Sequence, residues 1–423
     1  MLYLLSFGFE TRNVLNSKNP SSFKQVPDGT VTSPTGFQAG AVYSGLKTEG
    51  EGKLDLGILY SEAPCAAAGV FTTTSVRAAS VRVCARHIAG GKAQAVVVNA
   101  GIANAYVGEQ GVKDAEEICT LVGRKLGIGP GRVLIASTGL TGMELPMGII
   151  RRAIPGIPLS VSSGHDLARA IMTTDRRPKE VAVSFKLGGK AVTLGGIAKG
   201  AGMIHPNMAT MLVFLTTDAA VERRFLQAAL RDAADSTFNM LTIDGDTSPS
   251  DTLVLLANGA AGNKSLSGDS PDADVFRAAL TEVCAFLAKS IARDGEGAEK
   301  MIEVTVDGAA SRKDARDAAR TIAGSTLVKA AVHGNDPNWG RVIAALGRSS
   351  ARVVEQKLMC YINGICVLDE GKPIPFFREA AVKAMTAPEV SIRVSLNLGD
   401  ASATAWGCDL TEEYVTFNSK YTT

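Results

Sequence analysis

Two periods of hydrophobic position run through the chain and predict alternating strands and helices. Residues 93–98 (AQAVVV) form a short apolar run that stops at Asn99-Ala100-Gly101, the pattern of a buried strand entering a turn. Between residues 112 and 126, Val112, Ala115, Ile118, Cys119, Val122 and Leu126 recur at helical spacing, and Gly127 supplies the stop. Residues 132–136 (RVLIA) predict a strand that delivers Ser137-Thr138-Gly139 at its end. Residues 221–240 fit a helix whose stripe is Phe225, Ala229, Leu230 and Ala233. A strand at 252–257 (TLVLLA) follows, then a polar loop at 258–272 that is the best candidate for an exposed, nickable segment. The longest helical pattern spans 273–292, through Val275, Phe276, Ala279, Leu280, Val283, Phe286, Leu287 and Ile291, and Asp294-Gly295-Glu296-Gly297 closes it.

A second section begins near residue 301. MIEVTVDG alternates like a strand, 312–322 is helical, and the end is strand-rich (LMCYING, VSIRVSLNLG, ATAWGCDL). This predicts three parts: a loose extension over 1–30, a main α/β body over 31–300, and a smaller C-terminal α/β domain over 301–423.

Composition narrows the classes. Hydrophobic residues make up 46% and charged residues 20%, enough to bury a sizeable core. A formal net charge of +2 gives no electrostatic case for nucleic acid or anionic membranes. No apolar run approaches the ~18 residues that span a bilayer. The apolar start, MLYLLSFGF, lacks the basic flank and cleavage site of a signal peptide, and an organellar presequence stays an alternative. The seven cysteines include no CxxC pair and the four histidines are scattered, which predicts free buried thiols, no metal site and a reducing, cytoplasmic compartment.

The chemistry concentrates in KGAGMIHPNMATMLVFLTTD, from Lys199 to Asp218. A glycine-rich turn leads through His205-Pro206-Asn207 to Ala209-Thr210, and an apolar strand starts at once. Pro-Asn before an apolar run is also ordinary turn-to-strand punctuation, and threonine is a good strand residue. If the Ala209–Thr210 bond is cut, however, Thr210 gains a free α-amine beside its own hydroxyl, a nucleophile with its base built in. An α-amine has a reference pKa of roughly 7.7–8.0, so a useful fraction is a neutral base near neutral pH.

The ordered motifs PCAAAGVFTTTSVRAA, NAGIANA, GEQG, ASTG, MTTD, KGAGMIHPNMATM, IDGDTSPSDT, DGEGAEK, HGNDPNWGR and YVTFNSKYTT span the chain from about Thr32 to its end. In that series the chain resembles the ornithine acetyltransferase family, also called glutamate N-acetyltransferases. The resemblance implies a layered αββα sandwich similar to N-terminal-nucleophile hydrolases but with different connectivity. It implies self-cleavage between Ala209 and Thr210, giving chains of 209 and 214 residues. Thr210 then matches the nucleophile that takes acetyl from N-acetylornithine and passes it to glutamate. Thr138 and Gly139 match the oxyanion hole, and Thr173, Lys199, Thr210, Glu296, Asn418 and Thr423 match substrate-binding positions. No metal or cofactor is implied, and acetyl-CoA stays open as a second acetyl donor. The partners implied are small molecules, with paired αβ units of the same precursor.

Each assignment has a chemical rationale and a plainer alternative. Ser-Thr-Gly is common turn composition, yet glycine at a strand end lets backbone donors approach an oxyanion. Lys199 is either a surface lysine or a cation that binds a carboxylate or lowers the amine's pKa. Glu296 is either a helix-end surface charge or a partner for ornithine's ammonium. The C-terminal tail carrying Asn418 and Thr423 must fold back to reach a site, where fraying is the default. Two positions depart from the family pattern, Ile102 in NAGIANA and Pro249-Ser250 in IDGDTSPSDT. An N-terminal-threonine amidase or aminopeptidase, releasing the acyl group to water, is the alternative enzyme. An uncleaved ligand-binding relative is the non-enzymatic one. No GxSxG elbow supports a serine hydrolase.

Overall fold

The computed structural model describes residues 23–47, 52–205 and 211–420. Among these, fifteen strands form two open sheets. The first sheet contains β1 (Lys24–Gln25), β2 (Phe37–Val42), β3 (Leu56–Phe71), β4 (Lys92–Ile102), β5 (Val133–Leu140), β6 (Lys179–Leu187), β7 (Lys190–Lys199), β8 (Leu212–Thr217) and β9 (Thr252–Ala257). Its order is β1-β6-β7-β8-β9-β3-β4-β5, with β2 paired to β3. The second contains β10 (Met301–Ala309), β11 (Met359–Ile362), β12 (Ile365–Asp369), β13 (Lys372–Pro373), β14 (Glu389–Ser395) and β15 (Ala401–Cys408). Its order is β13-β12-β11-β14-β10-β15.

Five helices serve the first half of the chain: α1 (Ala79–Ile88), α2 (Gly108–Leu126), α3 (Met147–Ala153), α4 (Gly164–Ala170) and α5 (Arg223–Ser236). Six follow: α6 (Ala273–Arg293), α7 (Arg312–Ala323), α8 (Thr326–His333), α9 (Trp339–Gly347), α10 (Arg378–Met385) and α11 (Glu412–Lys420). Local chemistry sets their ends. Gly127 closes α2 in the left-handed conformation at φ 68°. The Ser311 side chain caps α7 by accepting the N–H of Asp314 at 3.1 Å.

The nine strands are one hydrogen-bonded ladder but two layers, and β3 makes the connection. Its first part, Leu56–Tyr60, pairs with β4, and its second part, Ala66–Phe71, pairs with β9. The register breaks between Tyr60 and Cys65, which re-aims the strand from one layer to the other. Alternation along β8 and β9 shows the stacking. Leu212, Phe214, Val254 and Leu256 enter one core with Ile58, Val96, Leu134 and, from α2, Ile118. Val213, Leu215, Leu253 and Leu255 enter another with Phe225 and Leu230 of α5 and Phe276 and Leu280 of α6. The result is the layered α/β sandwich that the resemblance implied. The second sheet starts at Met301, and Ile302, Val304 and Val306 share the core of α5 and α6.

Three predicted features differ from the structure. The extension expected to be loose over 1–30 is tied down at its described end, where β1 pairs with β6, the Val26 N–H donates to Ala182 O at 2.9 Å and Thr30 is buried. The helix expected over 221–240 ends at Ser236, because Thr237 leaves helical geometry (φ −125°, ψ −84°) and a short 3-10 turn, Phe238–Met240, follows. The polar loop at 258–272 is tied down in its middle. The Asn263 side chain donates to Ala220 O and accepts the Ala220 N–H, and Leu266 bridges to Val221. All seven cysteines are free; six are buried and Cys366 is half-buried. No helix among the described residues is long and apolar enough to cross a membrane.

Candidate active site

The site starts where β4 and β5 run parallel, with Ala100 opposite Thr138 and Gly101 opposite Gly139. Gly139 has φ 123°, and a Cβ there would sit 2.4 Å from the carbonyl oxygen of Gly101. Only glycine allows this backbone approach. Beside it Thr138 is almost fully buried.

β7 brings Lys199 to the same place. Lys199 pairs with Leu212, the first residue of β8, and its buried Nζ donates to Thr138 Oγ1 at 3.2 Å. Burial pushes the Lys199 amine below its ordinary pKa, and Asp175 partly opposes the shift. Asp175 is a hub. Its Oδ1 accepts the Gly200 N–H at 2.7 Å and Lys179 Nζ at 2.6 Å, and its Oδ2 accepts the Thr173 N–H at 3.0 Å. Burial alone would raise this carboxyl, but Lys179 and Lys199 outweigh it and hold it well below the usual range. Lys179 also donates to Asp294 Oδ2 at 2.6 Å, so one buried cation ties β6 to the end of α6.

Glu296 follows that helix end. Its N–H donates to Ala201 O at 2.8 Å, which lays the side chain across Gly202. A Cβ on Gly202 would fall 2.2 Å from Glu296 Oε2. The tail returns as α11, and Asn418 Nδ2 donates to Glu296 Oε2 at 3.0 Å.

The loop 244–251 binds the backbone at the end of the turn after β7 and just before β8. Asp244 accepts the N–H groups of Met203 (2.6 Å) and Ile204 (2.8 Å) on one side. Asp251 Oδ1 accepts the Met211 N–H at 3.0 Å on the other. Burial raises the pKa of both carboxyls, that of Asp251 well above its ordinary value.

These parts enclose a cavity of about 230 Å³. Thr138, Gly139, Thr173, Lys199, Glu296 and Asn418 all line it, although they come from four separated motifs and the C-terminal tail motif. Ala209, Thr210 and Thr423 lie outside the described residues. Pro249 and Ser250, the departure in IDGDTSPSDT, also line the cavity, so that departure reaches the site that holds Thr138 and Lys199. Ile102 is buried at the end of β4 beside Ala103, which lines the cavity. Sequence reasoning passed over Asp175, Asp244, Asp251 and Tyr414. All four lie inside quoted motifs, and their acidic or phenolic side chains were the available signal.

Comparison with known proteins places the chain in a family. The model of the ArgJ family matches residues 38–423. The chain belongs to the ArgJ family. The arginine biosynthesis bifunctional protein of Dehalococcoides mccartyi is 51% identical over 95% of this chain and 100% of its own length. That of Bacillus subtilis is 45% identical over 93% and 97%. A crystal structure of the Bacillus halodurans family member shares 44% identity, covering 49% of this chain and 97% of the solved chain, with a TM-score of 0.48. As a member of the ArgJ family, this chain is an acyltransferase that moves acetyl groups in arginine biosynthesis.

Proposed function

We propose that the chain moves acetyl from N2-acetyl-L-ornithine to L-glutamate through an acetyl-threonine at Thr210, after cutting itself between Ala209 and Thr210. The observation that carries this reading is the convergence of Thr138, Gly139, Thr173, Lys199, Glu296 and Asn418 on one small cavity at the start of β8. At about 230 Å³ the cavity is below the ~300–1,000 Å³ of drug-sized pockets and suits a single amino-acid derivative.

Two acyl shifts share one apparatus. In the precursor, the Thr210 hydroxyl attacks the Ala209 carbonyl, the C–N bond breaks, and water cleaves the resulting ester. The freed α-amine then takes the hydroxyl proton as Oγ1 attacks the acetyl carbonyl of the donor. Thr138 Oγ1 and the Gly139 N–H face the developing oxyanion, which supports its collapse with ornithine's amine leaving in protonated form. The α-amine of glutamate attacks the acetyl ester next and releases Thr210, giving ping-pong kinetics. Glu296 pairs with the side-chain ammonium of ornithine, and Lys199 pairs with the substrate carboxylate. Its buried cation also favours the neutral form of a nearby amine.

Acetyl-CoA is a second donor at the same threonine in this reading. The working form is a pair of αβ units in the cytoplasm, where buried free thiols persist. Intact mass under denaturing conditions tests the core of the proposal. Two fragments meeting at Ala209/Thr210 are expected, with Thr210→Ala leaving one uncut, inactive chain. A Thr210→Ala protein that is cut and active refutes it.

A further inference from the structure

Away from the cavity, four titratable side chains meet where α8 and β15 end and α11 begins. His333 Nδ1 lies 3.4 Å from Asp409 Oδ2 and 3.9 Å from Glu299 Oε2, and its Nε2 lies 3.4 Å from Glu412 Oε2. The Asp409 side chain is fully buried. Its Oδ1 accepts the N–H groups of Glu299 and Lys300, both at 3.0 Å. Its Oδ2 has no hydrogen-bond partner, and neither has the buried His333 Nδ1.

With its proton on Nε2, which lies 3.4 Å from Glu412 Oε2, the His333 imidazole would take the carboxylate–histidine arrangement that orients metal-binding imidazoles. The Nδ1 lone pair then faces two carboxylate oxygens. Three electron-pair donors converge with nothing between them, which is unfavourable unless a positive charge sits at their centre.

We propose that Glu299, His333 and Asp409 bind a divalent transition-metal cation of the zinc class. Their ligand atoms all lie within 4.8 Å of one another. Bonds of ~2.0–2.1 Å in a tetrahedral site put ligand atoms roughly 3.4 Å apart. The His333–Asp409 pair already meets that spacing, and Glu299 is exposed enough to swing its carboxylate inward. An imidazole with two carboxylates favours zinc-like ions over magnesium or calcium, and water fills the fourth position. The cation ties the ends of α8 and β15 together, and His333 meets Glu412 at the start of α11. That helix carries Tyr414 and Asn418 to the cavity. The site departs from the sequence-based expectation of no metal, because its ligands are 34 and 76 residues apart (333 − 299 and 409 − 333) and form no local motif.

The test is a titration of the chelator-stripped, full-length protein with Co²⁺, read by visible absorption, followed by displacement with Zn²⁺. One saturable Co²⁺ per chain with four-coordinate absorption bands is expected. His333→Gln and Glu299→Gln should each weaken binding at least about tenfold. Glu299→Gln changes an exposed side chain, so its thermal melt should stay that of the parent and separate lost binding from lost folding. No saturable binding below about 100 µM Co²⁺ would overturn the proposal. So would binding unchanged by both substitutions.

Discussion

Gly202→Ala isolates the placement of Glu296 from its chemistry. The added Cβ would lie 2.2 Å from Oε2, 2.3 Å from Cδ and 2.5 Å from Oε1 of Glu296. Ordinary carbon contacts begin near ~3.5 Å, so the carboxylate must retreat by about 1 Å. The backbone of Glu296 stays, because its N–H is bonded to Ala201 O. The side chain therefore rotates and breaks its bond with Asn418. A misplacement of ~1 Å can cost 10²-fold in rate, which is ~2.7 kcal/mol. The stability loss should sit at the low end of the ~1–3 kcal/mol typical of overpacking, since the displaced atoms end a flexible side chain. Steady-state kinetics with N-acetylornithine and glutamate, beside a thermal melt, read both quantities. A variant with near-parental melting and kcat/KM down about 100-fold supports the reasoning. Parental kcat/KM with a lowered melt would show that Glu296 does not position substrate.

Two further outcomes follow from the same geometry. Thr138→Ala should slow acetyl transfer by ~10²–10³, the usual loss of one oxyanion donor; an unchanged initial rate would return Thr138 to a structural role. Lys47 donates to Leu54 O and Ala170 O, and burial lowers its pKa to about 8 from 10.5. The folded state thus holds fewer protons than the unfolded one between those values, so this group's contribution to stability rises with pH across that window. Urea unfolding of wild type against Lys47→Met from pH 7 to 10 checks the sign: the difference should move in favour of wild type as pH rises, and a flat or reversed difference refutes it.

Long periodic elements were legible in the chain itself. The helix predicted over 273–292 is α6, and the strand predicted over 252–257 is β9. Both combine a sustained apolar period with clear stops. Short helices were not legible: α8, α9 and α11 hold only two or three turns each, too few for a period to stand out. β3 runs through the alanine-rich PCAAAGVF, a composition poor for strands, and holds its conformation there by pairing Ala66–Phe71 with β9. In the site, single residues such as Lys199 and Glu296 could be matched one at a time. The Asp175–Lys179–Asp294 network could not, because only the fold brings β6 beside the end of α6.

The position of the 209–210 bond has a consequence for assembly. Residues 1–209 contribute β1–β7 and residues 210–423 contribute β8 and β9, yet β8 lies between β7 and β9, and β9 pairs with β3. A break there falls at the middle of the ladder rather than at its rim. The two polypeptides would be an obligate heterodimer from birth, with neither half able to fold alone without baring a long apolar strand edge. Such fragments, made separately, would aggregate before they met. If the chain is cut there, the one workable order is to fold first as a single chain and divide afterwards.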